Sequence, residues 1–168
     1  MRVAIVTISD SGFTGERRDT SGEAIRAWCD SRGDFVVSHD IVQDDTSAIV
    51  PLLVSLCDSG GADLVLTTGG TGLAPRDVTP EATRAVIERE ANGIAEFLRA
   101  SSFARVPRAA LSRGVAGTRG STLVINLPGS TSGVEDGLAS LREIIDHAVG
   151  ILNGSITRHE AAPIRETD

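Results

Sequence analysis

The chain has no lysine and no tyrosine, and all 16 of its basic residues are arginines. Without lysine there is no Walker-type phosphate lysine, no Schiff base and no lysine general base, which removes several enzyme classes at once. Aromatic residues make up only 3% of the sequence, so the core must be built from Val, Ile, Leu and Ala. Cys29 and Cys57 are the only cysteines, too few and too isolated for a disulfide framework or a zinc cluster. Both fall in helix-like segments and are expected as buried thiols. Long apolar runs are missing as well: VAIV at 3–6 and LVIN at 123–126 fall far short of the roughly 20 residues that span a bilayer. An excess of acid gives a net charge of -7 and a pI near 4.9, which disfavours nucleic acid and anionic membrane surfaces as partners. Met1-Arg2 leads straight into a strand-like segment, and the expectation is a cytoplasmic chain with no signal peptide. His39, His147 and His159 are scattered over a strand, a helix and the tail, with no metal-ligand spacing, and no nucleophilic triad can be assembled.

The 168 residues fit one domain, expected over 1–154, with a polar tail lacking periodicity at 155–168. RVAIVTI (2–8), FVVSHDIV (35–42), ADLVLTT (62–68) and the segment 121–127 read as strands, being short, apolar and β-branched. Between them lie helical patterns. Thr20-Ser-Gly-Glu23 is a capping box opening a helix to about Arg32, and AIVPLLVSLCDSGG reads as a second helix, in which Pro51 should fall in or near the first turn. Thr79-Pro80 reads as N-cap and first residue of a third helix, to about Glu90, followed by a fourth over 93–105. Ser132-Gly-Val-Glu135 is a second capping box, starting one long helix through Leu152. Gly117-Thr-Arg-Gly120 suggests a hairpin turn and hence one antiparallel strand. Strands alternating with helices imply a three-layer α/β/α domain on a mostly parallel sheet, whose ligands bind beyond the carboxyl ends of the strands.

Those ends carry loops of Gly, Ser, Thr or Asn with a carboxylate or arginine nearby: SDSGFTGERRDTSG, QDD, GGTGLAPRD and NLPGSTS. In LTTGGTGLAPRDVTPEAT (66–83), Gly69, Gly70 and Gly72 let backbone N–H groups approach a phosphate, and the helix start that follows adds free N–H groups and a positive dipole end. A tight strand-to-helix connection would use glycine too. The loop is neither GxxxxGK[ST] nor GxGxxG, so neither nucleotide fingerprint applies. Asp77 beside a phosphate cradle is repulsive, by about 4 kcal/mol for two unit charges 4 Å apart at an effective dielectric near 20. A cation is therefore required between them, and Mg²⁺ suits one or two carboxylates plus phosphate oxygens, with Asp44 as the second carboxylate. Against this stand a salt bridge from Arg76 or a loop cap for Asp77, and an N-cap for Asp44 or Asp45.

The motifs ISDSGFTGERRDTSG, VQDD, TTGGTGLAPRDVTPEAT, LSRGVAGTRGSTLVINLPGS and the closing helix together resemble the MogA/MoaB family of molybdenum cofactor biosynthesis proteins, the domain also found in gephyrin. The resemblance spans residues 2 to about 154 in order, and TTGGTGxxxRDxTPEA is highly specific. It implies a trimer that adenylylates molybdopterin with Mg²⁺ and ATP, releasing pyrophosphate, and a molybdate-insertion protein as a further partner; the same fold could also serve as a non-catalytic pterin-binding scaffold. Asp44 and Asp77 match the family's two essential aspartates, expected to be catalytic and to organise Mg²⁺. Substrate contacts are expected from Ser9, Asp10, Asp19 and Gly22 in the first loop, Gly69, Gly70, Thr71 and Gly72 in the glycine loop, Ser112 and Asn126 at the pterin, and Pro128 and Gly129 of the NLPG block. Arg113 and Arg119 are added here as anion contacts. Gln43 departs from the proline common in relatives before the aspartate pair.

Overall fold

A computed structural model describes residues 1–103 and 105–156; the rest of the expected tail, with His159, lies outside the described residues. Its elements, in chain order, are β1 (Arg2–Ile8), α1 (Asp10–Phe13), α2 (Thr20–Arg32), β2 (Phe35–Val42), α3 (Thr46–Asp58), β3 (Leu64–Thr68), α4 (Thr79–Val86), β4 (Arg89–Glu90), α5 (Asn92–Phe103), a 3-10 helix (Pro107–Leu111), β5 (Ala116–Arg119), β6 (Thr122–Leu127), α6 (Thr131–Leu141) and α7 (Ile145–Leu152). The six strands form one sheet in the order β2-β1-β3-β6-β5-β4. β2, β1, β3 and β6 are parallel, and β5 runs against both neighbours, as the hairpin expectation required.

Alternation along the buried strands builds two cores, one per face. On one face Val3 and Ile5, Leu64 and Leu66, and Leu123, Ile125 and Leu127 meet α2, α6 and α7 through Ile25, Leu138, Ile145 and their neighbours. On the other, Ala4, Val6, Val65 and Val124 meet α3 and α4 through Ile49, Leu53, Ala82 and Val86. Each fully buried Ile or Leu contributes on the order of 1.5–3 kcal/mol, so an aromatic-poor chain still holds a rigid sheet. Among the described residues no helix is long and apolar enough to cross a membrane.

Local differences from the sequence reading have physical causes. Pro51 sits at the sixth position of α3, beyond the first turn, and is tolerated on the exposed side while Ile49, Leu53 and Cys57 face the core. Asp19, not Thr20, caps α2, and Ser130, not Ser132, caps α6, because their side chains accept from the amides of Gly22 and Gly133. Val78 occupies the N-cap position of α4, since the Thr79 hydroxyl is turned to the Gly69 carbonyl. α4 stops at Val86, where Ile87 turns extended, and residues 89–90 add a sixth strand instead of finishing the helix. Gly117 permits that pairing, because a Cβ there would lie 2.6 Å from the Arg89 carbonyl oxygen. Residues 117–119 thus belong to β5, and the hairpin turns at 120–121 with Gly120 at φ +54. The closing helix is divided at residues 142–144. The segment 9–19, read as a loop, contains the single turn α1, capped by Ser9.

Cys29 and Cys57 are both free and buried, and burial pushes each thiol up to about 11. Native protein at pH 8 is therefore expected to leave both unmodified by a thiol-specific chromogenic reagent on a timescale at which urea-unfolded protein reacts at both; prompt native labelling would contradict this burial.

Candidate active site

The strand order reverses at β1, which has β2 on one side and β3 on the other, so the loops after these strands diverge and open a crevice at their carboxyl ends. Two adjoining cavities lie along this edge. The smaller, about 370 Å³, is bordered by Thr7, Ser9, Asp19, Asp44, Gly69 and Ser130 among others. The larger, about 590 Å³, is bordered by Gly70, Thr71, Gly72, Asp77, Ser112 and Pro128 among others. Gly129 and Ser130 line both. The glycine loop is therefore a ridge, with Gly69 on one slope and Gly70–Gly72 on the other.

Bare backbone is needed on this ridge for contact reasons. Gly69 has φ +94, and a Cβ there would come within 2.1 Å of the Ile8 carbonyl oxygen. Gly70 has φ +61, and its Cβ would meet the Thr79 hydroxyl at 2.3 Å and Asp44 Oδ1 at 3.1 Å. A Cβ on Gly72 would lie 2.9 Å from Asp77 Oδ2. Hydrogen bonds fix the ridge from beneath: Thr79 Oγ1 donates to the Gly69 carbonyl at 2.9 Å and Thr68 Oγ1 to the Pro128 carbonyl at 2.7 Å.

The two aspartates stand on either side in the same way. Asp44 Oδ2 accepts from the Asp10 amide at 2.9 Å, and Asp77 Oδ2 from the Ala74 amide at 2.7 Å. In each, Oδ1 accepts no hydrogen bond from any described residue. Burial raises the Asp44 carboxyl above its ordinary value, and the nearby carboxylates of Asp10 and Asp77 add to the rise, against the stabilising Asp10 amide. Asp45 takes the capping role for α3, accepting from the Ser47 amide at 2.7 Å, and so leaves Asp44 to the crevice. Asp77 does cap its own loop, but Arg76 pairs elsewhere: it grips both oxygens of Asp10, at 2.7 and 2.9 Å. That pairing holds the Asp10 carboxyl below its usual range. Arg76, Asp10 and Asp44 thus tie together the loops after β3, β1 and β2.

Other expected contacts are committed to the fold. Asp19 lines the smaller cavity, yet it accepts from Gly22 N, Ser21 Oγ and Thr7 Oγ1 and pairs with His39 Nε2 at 2.8 Å. Burial would raise its carboxyl; these hydrogen bonds outweigh burial and hold it below 3.8. Gly22 leaves room for that cluster, since its Cβ would lie 2.1 Å from Asp19 Oδ2. Asn126 is buried, accepting from Val115 N and donating to Thr67 and Thr83 at 2.9 Å each. It meets Ser112 only at a small cleft behind the larger cavity. Arg113, expected as an anion contact, is a clamp on the ridge: Nε donates to the Gly72 carbonyl at 2.6 Å, and the other nitrogens engage the Asp77 carbonyl and Glu81. Arg119 lies at the opposite end of the sheet, paired with Asp58 at 2.7 and 2.8 Å. Ser130 lines both cavities, and sequence does not single it out because the capping-box pattern points to Ser132.

An open α/β sheet with a glycine ridge at the strand reversal and a carboxylate on either side of it is what this edge presents. Residues 4–147 match the family described as a probable molybdopterin binding domain. The chain belongs to that molybdopterin-binding family. Molybdopterin adenylyltransferase of Helicobacter pylori is 35% identical over 160 residues, spanning 92% of this chain and 89% of that protein. The solved structure of the molybdopterin biosynthesis enzyme MoaB from Thermus thermophilus is 47% identical with a TM-score of 0.86, covering 91% of this chain and 96% of that one. Molybdenum cofactor synthesis protein cinnamon of Drosophila melanogaster is 36% identical over 154 residues; the match spans 91% of this chain but 26% of that protein, about a quarter of its length.

Two outcomes follow from this geometry. Gly69→Ala is expected to destabilise the fold by about 2–4 kcal/mol in urea unfolding, because backbone must move, whereas Gly15→Ala, at φ +76 with no atom within 4 Å, costs about 1–2 kcal/mol. Equal losses would deny the close contact. Asp19→Asn is expected to cost about 1–3 kcal/mol at pH 7. Because the folded-state value lies below the unfolded one, that stabilisation is complete above 3.8 and fades as pH falls through the folded-state value, so the two proteins' urea midpoints should converge in acid. A gap that widened in acid would reverse the assignment.

Proposed function

We propose that the chain catalyses Mg²⁺- and ATP-dependent adenylylation of molybdopterin. One observation carries the reading: Asp44 and Asp77, each with one oxygen anchored by an amide and the other uncommitted, flank a glycine ridge between two cavities. In the reaction a terminal phosphate oxygen of molybdopterin forms a bond to the α-phosphorus of ATP. The bond from that phosphorus to the oxygen bridging the β-phosphate breaks, and pyrophosphate leaves. Two anionic reactants must therefore be brought together in line, and the barrier is mainly one of positioning and charge.

Among the described residues no group of three or more His, Cys, Asp or Glu could hold a metal ion, so a cage made of protein alone is not what this edge offers. A pair of carboxylates beside phosphate fits Mg²⁺, which takes one or two carboxylates and keeps water and phosphate oxygens as its other ligands. Asp44 Oδ1 and Asp77 Oδ1 would hold it, and bound there it would neutralise phosphate charge. The chain would supply the rest: the glycine ridge that lines both cavities, the start of α6 at Ser130, and the Arg76–Asp10 and Arg113 clamps on the surrounding loops. The adenylylated product would then pass to a molybdate-insertion protein. Trimerisation is part of the same reading, and exposed Phe97 and Phe103 on α5 offer apolar surface that assembly would cover.

The direct test is pyrophosphate release and detection of adenylylated pterin with ATP, Mg²⁺ and molybdopterin, each omitted in turn. Product should require all three; tight pterin binding without product would make the chain a scaffold that binds and does not react. Asp77→Asn, which keeps an acceptor for the Ala74 amide, is expected to lower turnover roughly 100-fold or more with an unchanged thermal midpoint. Unchanged turnover would remove Asp77 from the mechanism.

A further inference from the structure

Among the described residues one positive side chain lines the larger cavity. Its charged lining residues are Asp77, Asp136 and Arg108. Asp136 is neutralised by Arg105 at 2.9 Å. Arg113 is consumed by carbonyls and Glu81, Arg76 by Asp10 and Arg18 by Glu23, while Arg17 lines the smaller cavity only. Arg108 donates to no described residue and is exposed. It is also firmly placed: it follows Pro107 in the 3-10 helix that ends at Leu111, and the Ala109 and Ser112 amides close turns onto Val106 and Ala109. Ser112, just past the end of that helix, lines the same cavity. A guanidinium presents a fork of donors matched to a phosphate. In a chain of net charge -7, an uncommitted guanidinium on the cavity that Gly70 and Gly72 line attracts an anionic ligand.

We propose that Arg108 is a ligand-binding residue of this site and contacts a phosphate group of whatever occupies the larger cavity, from either the nucleotide or the pterin. The inference rests on the reading that phosphorylated ligands fill these cavities. It goes beyond that reading because Arg108 lies outside the shared motifs and because both arginines expected from sequence, Arg113 and Arg119, are spent on internal partners.

The test measures calorimetric affinity for ATP with Mg²⁺ and, separately, for molybdopterin, using the full chain, Arg108→Gln, Arg108→Lys and Arg89→Gln. Arg89 is exposed on β4, its side chain has no described partner and lines neither cavity, and it serves as the control for lost surface charge. The expected result is a loss of about tenfold or more for Arg108→Gln with one of the two ligands, the cost of losing a charge-assisted hydrogen bond. Arg108→Lys should recover part of the loss, and Arg89→Gln should bind like the parent chain. Loss confined to ATP places the nucleotide phosphates at Arg108, and loss confined to molybdopterin places the pterin phosphate there. Unchanged affinity for both, or an equal loss in Arg89→Gln, overturns the proposal and leaves the adenylylation reading standing. A parent chain that binds neither ligand removes both.

Discussion

The carboxyl edge of the sheet depends on one close approach: the Gly69 backbone lies so near the Ile8 carbonyl that no side chain fits between them. That contact draws the loop after β3 over the end of β1. Gly129 completes it from β6, since a Cβ there would lie 3.2 Å from the Gly69 Cα. Three strand ends are thereby brought to one ridge, and the cavities on its two sides are spaces left by the diverging loops. Of the two uses of glycine that the sequence left open, the tight strand-to-helix connection is the one these contacts show; the phosphate cradle belongs to the proposed function.

Charge is disposed around the ridge so that little is left uncompensated. Arg76 satisfies Asp10, Arg113 satisfies Glu81 and two carbonyls, and Asp45 satisfies the start of α3. Among the described residues these pairings leave Oδ1 of Asp44, Oδ1 of Asp77 and the guanidinium groups of Arg108 on the larger cavity and Arg17 on the smaller. Uncommitted carboxylate oxygens beside guanidinium forks suit ligands whose phosphates arrive with a divalent cation. The raised carboxyl of Asp44 reflects the same crowding, burial first and neighbouring carboxylates second.

The layered fold was legible because its signals are long and redundant: β-branched strands alternate with amphipathic helices, and the TTGGTG segment carries a specific family resemblance. Asp44 and Asp77 stand out in sequence because a carboxylate expected beside a phosphate cradle needs a reason, and the structure puts each on one of the two cavities at the sheet edge. Less could be read where the outcome turns on which of several equivalent groups a side chain reaches. Sixteen arginines look alike in sequence, and only packing shows that Arg113 turns inward to the ridge while Arg119 pairs with Asp58 at the far end. Thr79 was expected to cap α4, and its hydroxyl instead found the Gly69 carbonyl, a contact across the strand-to-helix connection. The strand at 89–90 was hidden because two residues carry no periodicity; the space left by Gly117 on β5 determines it.

If Asp44 and Asp77 serve a single bound cation, their contributions to nucleotide affinity cannot be independent. A double-mutant cycle on Mg²⁺-dependent ATP binding, comparing the parent chain with Asp44→Asn, Asp77→Asn and the combined variant, tests this most directly. The account requires the combined variant to bind no more weakly than the weaker single variant. Losses that simply add would mean that the two carboxylates act apart, and the ridge would then not be a shared cation site.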